Sequence, residues 1–252
     1  MAVFDVNGNK EPFLLVQLAR GEKIYAESDS LLAMQDGVEV TGQARGGFLA
    51  SIGRAITSGE DLFQQTLTAT QDSIVMLSPA LPGDIKILKL EFSKGYYLND
   101  YAFFAADDNI VLETRMNQSI GGALFSGDGF FILHAHTNNN SMGHLVINGL
   151  GSIEEIEISS EGGDFIVDNG HLLAWEDGVT YETEMVNASS GAGFFSRAIN
   201  SVTSGEGVMM RLKGNGKIYV ASRNLETFKG FIAKLSGAVP ARNDGNSGFS
   251  FT

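Results

Sequence analysis

The sequence predicts an all-β fold, a sandwich or barrel of short strands, and three observations point to it. One motif recurs three times at a spacing of about 70 residues. Apolar and polar residues alternate with period two over 38–41, 153–158 and 179–183, the pattern of half-buried strands. The chain holds 31 Gly and only 4 Pro, a balance suited to many tight turns between short strands.

The recurring motif is an apolar patch, an acidic Gly or Asn turn, and an alternating strand. The first copy reads Leu31-Leu32-Ala33-Met34-Gln35-Asp36-Gly37-Val38. The third reads Leu172-Leu173-Ala174-Trp175-Glu176-Asp177-Gly178-Val179, and the looser second reads Phe103-Phe104-Ala105-Ala106-Asp107-Asp108-Asn109-Ile110. Downstream, Ser58-Gly59-Glu60 answers to Ser126-Gly127-Asp128 and to Ser204-Gly205-Glu206. A further strand follows in each copy, at 74–77, 145–147 and 218–221. The expected organisation is repeat one over 14–90, repeat two over 91–160 and repeat three over 161–228. A C-terminal extension over 229–252 follows, loosely held from Ser236 onward. Three such copies imply pseudo-threefold packing, each unit burying an apolar face against its neighbours. Leu81-Pro82-Gly83-Asp84 places Pro and Gly where a type II turn needs them.

Two stretches depart from the strand pattern. In 47–56, Phe48, Leu49, Ile52 and Ile56 fall on one helical face, and Phe194, Phe195, Ala198 and Val202 take the same places in 193–202. These predict two short amphipathic helical insertions, in copies one and three. Copy two has only Gly121-Gly122-Ala123-Leu124-Phe125 there, a plain turn.

The formal net charge is −13. Nucleic-acid affinity comes mainly from Lys and Arg on phosphates, and no Lys/Arg run offsets the acidic field. Nucleic acid is therefore not an expected partner. There is no Cys, so disulfides, thiolate ligands and a Cys nucleophile are excluded, and a reducing, cytoplasmic setting fits. Residues 1–10 lack the basic and apolar regions of a signal peptide, and no apolar run is long enough to span a bilayer. No Gly-x-Ser-x-Gly elbow, phosphate-binding loop or dinucleotide fingerprint occurs.

Several residue groups carry a resemblance to a known family. They are the apolar-Ala-apolar-x-x-Gly-Val patch, the Gly-rich Phe-containing loop, Ser-Gly-Glu and Leu-Pro-Gly-Asp. Gly151-Ser152-Ile153, Val167-Asp168-Asn169-Gly170-His171 and Ser222-Arg223-Asn224-Leu225 add to them. Together, from Leu14 to Phe228, the chain resembles the family named for altered inheritance of mitochondria, number twenty-four. Bacterial members are mostly proteins of unknown function. The resemblance implies a fold like the tryptophan RNA-binding attenuation protein, a short variant of the double-stranded β-helix. It implies no residue-level site, and the RNA binding of that fold's namesake does not transfer, because a fold does not fix a function.

The sharpest chemical candidates are His134 and His136, which share one strand face, with His144 expected on the next strand beyond an Asn-rich turn. Three imidazoles suit zinc or iron, as in cupin-type enzymes. Against this, no Glu follows at cupin spacing, and the matching positions in the other copies are Thr66, Thr68, Leu212 and Gly214. A solvated hairpin with surface histidines is the preferred expectation, and no cofactor is assigned. Glu60, Asp128 and Glu206 recur in every copy and are read as turn formers, with Gly59, Gly127 and Gly205 supplying φ above zero. Trp175 stands where copy one has Met34 and is expected in the core.

The helical insertions are the expected contact surface, through Phe48, Leu49, Arg54, Phe194, Phe195 and Arg197, with Arg45 nearby. The functional expectation is a non-enzymatic scaffold or interaction module with a protein partner. The alternatives are a metal-dependent cupin-like enzyme using His134, His136 and His144, and a peripheral membrane protein attached through the same apolar insertions. Strand edges left by the repeats make a homo-oligomer an additional expectation.

Overall fold

The computed structural model describes residues 1–42, 65–99, 101–116, 131–138, 141–184 and 209–235. After β1 (Val3–Asn7), a first run holds β2 (Phe13–Leu18), β3 (Lys23–Ala26), β4 (Leu31–Met34), β5 (Val38–Thr41), β6 (Gln65–Ala69) and β7 (Ser73–Leu77). A second run holds β8 (Gly83–Leu90), β9 (Tyr96–Asn99), β10 (Phe103–Asp107), β11 (Ile110–Met116), β12 (Phe131–Thr137) and β13 (Gly143–Leu150). A third holds β14 (Ile153–Ile158), β15 (Phe165–Asp168), β16 (Leu172–Glu176), β17 (Val179–Glu184), β18 (Met209–Gly214) and β19 (Gly216–Ala221). Helix α1 (Leu225–Leu235) follows. The all-β class is as expected, and the three strands anticipated near 74–77, 145–147 and 218–221 lie within β7, β13 and β19.

Among the described residues the strands form four sheets, ordered β1-β2-β7-β4, β5-β6-β3-β10-β13-β8, β11-β12-β9-β16-β19-β14 and β15-β18-β17, and every ladder between them is antiparallel. One pairing order recurs: β2-β7-β4, β8-β13-β10 and β14-β19-β16, and likewise β5-β6-β3, β11-β12-β9 and β17-β18-β15. Consecutive runs are joined edge to edge. β3 pairs with β10 through Ala26↔Ala105, Tyr25↔Ala106 and Ile24↔Asp107. β9 pairs with β16 through Leu98↔Ala174, Tyr97↔Trp175 and Tyr96↔Glu176. A register shift breaks the inner ladder of β4, β10 and β16 just before Ala33, Ala105 and Ala174. Such a bulge sharpens the local twist and re-aims the strand.

β6 and β7 bury as period two requires, each placing every second residue inside, whereas β5 buries only Val38 and β14 only Ile153 and Ile158, so the alternation expected over 38–41 and 153–158 is not matched by burial. β10 is buried at all five positions, as a strand covered on both faces must be. One apolar cluster gathers Leu98, Phe103, Leu133, Leu145 and Leu173. A second lies among Leu14, Ile24, Leu67, Leu77 and Phe104, and a third among Leu172, Trp175, Met210, Leu212 and Ile218. Trp175 is a fully buried core residue, stacked on Tyr97 at 5.7 Å and edge-on to Tyr181 at 5.4 Å.

Four expectations need correction. Leu81-Pro82-Gly83-Asp84 is not a type II turn, because Gly83 does not take a positive φ. Gly83 is needed for space instead: an added Cβ would collide with the Gly149 carbonyl oxygen and stand 2.7 Å from the Gly151 nitrogen. β12 and β13 do not form a hairpin. β12 pairs with β11 and β9 while β13 pairs with β10 and β8, so the two strands lie in different sheets. The counterparts of His134 and His136 in the third run are Arg211 and Lys213, not Leu212 and Gly214. Arg211 opposes Ile166 as His134 opposes Tyr97, which places the two on equivalent strand positions. Finally, α1 runs across residue 228, so the extension expected from 229 begins inside a helix. Asn224 caps that helix by accepting the Thr227 N–H at 3.2 Å. The two amphipathic insertions, the three Ser-Gly-acid turns and the tail from Ser236 lie outside the described residues.

Two glycine substitutions separate space from backbone freedom. Gly83→Ala is expected to lower unfolding stability by roughly 1–3 kcal/mol, since the neighbouring backbone must shift. Gly230→Ala, in α1 with nothing within 4 Å of the added Cβ, is expected to raise it by about 0.5–1 kcal/mol. Urea denaturation of both variants checks the pair.

Candidate functional site

The densest cluster of chemically capable side chains forms where the second run meets the third. In the β11–β12 ladder Glu113 lies opposite His134, and Val111 opposite His136. Residues two apart on a strand share a face, so His134 and His136 project together, and the cross-strand partner Glu113 joins them. The imidazoles are stacked with centroids 5.2 Å apart and an interplanar angle of 26°. Tyr97 of β9 packs on His134 at 4.7 Å and continues to Trp175, so the imidazole pair ends a column of rings.

The third run adds an acid. Asp177, just after β16, places Oδ1 2.9 Å from His134 Nε2. A carboxylate accepts hydrogen bonds, so Nε2 donates to Asp177, and in the neutral ring that leaves Nδ1 with its lone pair. Nδ1 of His134 and Nδ1 of His136 are both buried and have no protein partner among the described residues. Unsatisfied buried nitrogens cost free energy and call for an occupant. Glu113, His134 and His136 each offer one ligand atom, and these atoms all lie within 4.8 Å of one another. Two imidazole nitrogens and a carboxylate oxygen, with an outer carboxylate orienting one imidazole, form a donor set suited to a divalent first-row metal such as zinc. Gly95 makes room for it: a Cβ there would stand 2.7 Å from Asp177 Oδ2 and 2.8 Å from His134 Nε2.

His144 does not belong to this cluster. It lies on β13, in a different sheet, where Nδ1 is held 2.9 Å from Asp107 Oδ2 and the ring packs on Phe4 at 5.4 Å. The same carboxylate accepts the His144 backbone N–H at 2.8 Å, so Asp107 and His144 form a local clasp between β10 and β13. The alternative grouping of His134, His136 and His144 therefore does not form, and the residue brought beside His134 and His136 is Glu113. His134 is also no solvated surface residue, with 13% of its side chain exposed. Glu113, Asp177 and Gly95 were not singled out from sequence. The register that sets Glu113 against His134 is invisible there, although Asp177 lies in the recurring acidic Gly or Asn turn. Phe48, Leu49, Arg54, Phe194, Phe195, Arg197, Gly59, Gly127 and Gly205 lie outside the described residues.

A broad open groove lies elsewhere, lined by Lys10, Glu11, Asp84, Ser222 and Arg223. Its mixed charges give no field of one sign. Among the groups outside the histidine cluster, Tyr96 and Glu27 titrate far from their ordinary values. The Tyr96 hydroxyl is pushed up to about 12 by burial, and then by nearby Glu176, to which it donates at 3.2 Å. Glu27, at the junction of β3 and β10, is pushed up to about 7, first by burial and then by Asp29.

An antiparallel all-β protein with a histidine–carboxylate cluster at a sheet junction is the class these observations define. The chain belongs to the family described as mitochondrial biogenesis AIM24, whose model matches residues 4–223. It is similar to an uncharacterized protein of Streptococcus pyogenes serotype M6, with 32% identity over 230 residues, covering 88% of this chain and 86% of that one. It is also similar to a Streptococcus pyogenes protein solved by X-ray crystallography, with TM-score 0.74 and 30% identity, covering 93% of this chain and all of that one. None of these descriptions indicates an enzymatic activity. Among the described residues no helix is long and apolar enough to cross a membrane.

Glu27 gives the fold a pH dependence of definite sign. A carboxyl raised in the folded state adds nothing unfavourable below its ordinary value of 4.5, and stability is lost as pH rises through about 7. Relative to Glu27→Gln, the native chain is expected to lose up to about 3 kcal/mol across that window. Denaturation curves at pH 4.5 and pH 8 for both proteins check this, and parallel pH profiles would refute it.

Proposed function

We propose that this protein is a non-enzymatic interaction scaffold, working in the cytoplasm through contacts made by its strands. The observation that carries the reading is a pair of unpaired strand edges bearing apolar side chains. Among the described residues β4 and β15 each end a sheet. Leu32 and Met34 on β4 are 54% and 45% exposed, and Phe165 and Ile166 on β15 are 37% and 39% exposed. Exposed apolar groups beside open backbone donors and acceptors are a template for another strand. The recurring pairing order supports the view that three tandem units build the chain. The passage of successive strands between sheets supports a short double-stranded β-helix of the kind found in the tryptophan RNA-binding attenuation protein. The acidic charge supports a protein partner over nucleic acid.

The test is quantitative affinity purification of the full chain from its native host, against Leu32→Asp/Met34→Asp. A stoichiometric partner, either another protein or a second copy, is expected with the native chain and at least tenfold less with the variant. Sustained turnover of a metabolite by metal-free protein, or equal recovery with both chains, would overturn the reading.

A second reading rests on the orphaned Nδ1 atoms of His134 and His136 beside Glu113. It makes the junction a metal centre, with Asp177 orienting His134. Calorimetric titration with zinc is expected to show one site per chain, abolished in His134→Ala/His136→Ala. Asp177→Asn is expected to weaken it about 10–100-fold. No saturable uptake by the native chain would refute it.

A further inference from the structure

We propose that the chain assembles head to tail with copies of itself, β4 of one copy pairing antiparallel with β15 of the next. The inference deepens the scaffold reading and rests on it, naming the occupant of the open edges.

The template for this contact is already present twice. At each internal junction the strand that leads one half-sheet pairs with the bulged strand of the next run: β3 with β10, and β9 with β16. The pairing order makes β15 the counterpart of β3 and β9, and β4 the counterpart of β10 and β16. These two are the strands of their kinds left without such a mate among the described residues. A third junction of the same kind would therefore place β15 against β4, and the internal registers transfer directly. Ala26↔Ala105 and Leu98↔Ala174 predict Val167↔Ala33. Tyr25↔Ala106 and Tyr97↔Trp175 predict Ile166↔Met34.

Burial singles out the same positions. Phe104 and Leu173, the counterparts of Leu32, are fully buried, as are Ala106 and Trp175, the counterparts of Met34. Ile24 and Tyr96, the counterparts of Phe165, are 0% and 5% exposed. Positions inside the protein wherever a junction exists lie in solvent only where it is missing.

The composition of the edges agrees. Six other strands end sheets: β1, β5, β8, β11, β14 and β17. Each carries at least one charged side chain along its length, such as Glu39, Lys86, Glu113 and Glu155, the usual guard against edge pairing. β4 carries none, and β15 carries only Asp168 at its end. The net charge of −13 opposes self-association in general. One local cost is also visible, since the transferred register brings Asp36 toward Asp164. Arg211, whose guanidinium donates to Asp164 at 3.0 Å, offsets it.

The occupant is a second copy because the two edges complete each other's missing junction. The contact is heterologous, so it leaves β15 free at one end and β4 at the other. Assembly then continues until the rotation closes a ring, or extends as a fibre.

The test uses two variants that each block one edge. Gln35 donates its backbone N–H inward to Ile74 at 3.0 Å, so the N–H of Met34 faces outward. Across the first junction Glu27 donates outward to Phe104 at 2.8 Å, which sets the N–H of its strand neighbour Tyr25, and of the matching Ile166, outward as well. Met34→Pro and Ile166→Pro therefore remove a donor from the outer edge while sparing the inner ladder. Light scattering after size exclusion is expected to give the native chain a mass at least twice 26.9 kDa, and each variant alone a single-chain mass. An equimolar mixture of the two is expected to stop at two chains, because one intact β15 meets one intact β4 and nothing can extend. If either proline variant fails to show native circular dichroism, Met34→Asp and Ile166→Asp serve in the same design.

A native chain that remains single at its highest soluble concentration would overturn the proposal. So would either variant assembling alone, or a mixture that stays single. If the native chain remains single yet still retains a different stoichiometric partner in the affinity purification, self-assembly fails while the scaffold reading stands.

Discussion

The structure depends on the antiparallel joining of β3 to β10 and of β9 to β16. Each run of six strands builds two half-sheets. Joining the trailing half of one run to the leading half of the next makes two six-stranded sheets. The small Ala105 and Ala174 stand opposite Ala26 and Leu98 at these joints. β10, central in its sheet, is buried along its whole length. The cluster around Leu98, Phe103, Leu133 and Leu173 draws on the second and third runs together, so the core is a product of the junction rather than of either run.

The histidine cluster inherits its geometry from the same joint. β12 presents His134 and His136, and β11 presents Glu113. Asp177 reaches His134 because β16 is paired to β9, which also sets Trp175 beside Tyr97, while Tyr97 itself meets the imidazole across the β9–β12 ladder. The first run has Thr66 and Thr68 at the matching positions, and the third has Arg211 and Lys213. Arg211 pairs with Asp164, and Lys213 with Glu182 at 2.8 Å. One scaffold position thus holds hydroxyls, imidazoles or cations in turn, while the backbone beneath it stays the same.

Charge and edge composition act together on association. A strongly acidic surface keeps copies apart unless a specific contact outweighs the repulsion. Charged side chains lie along most sheet edges of the described residues, whereas β4 carries none and β15 only Asp168 at its end. α1 also exposes apolar side chains, Phe231, Ile232 and Leu235, but no internal counterpart indicates what would cover them.

The strand class was legible in the sequence because period-two alternation and turn residues are local, and local patterns survive without knowledge of the fold. The recurring apolar-Ala-apolar patch, the burial of Trp175 and the shared face of His134 and His136 were readable for that reason. Tertiary structure alone decided which strands were neighbours. Register set Glu113 against His134, and the crossing between sheets sent His144 to a clasp with Asp107 instead of to the cluster. Gly83 carries the same lesson: its sequence context spelled a type II turn, but the near approach of Gly149 and Gly151 explains the glycine. The exposure of Leu32 and Met34, against the burial of Leu173 and Trp175 in the same motif, also came from outside the motif. Identical local patterns lie in the core or in solvent according to whether a partner strand lies beside them, because burial is a property of the neighbour as much as of the residue.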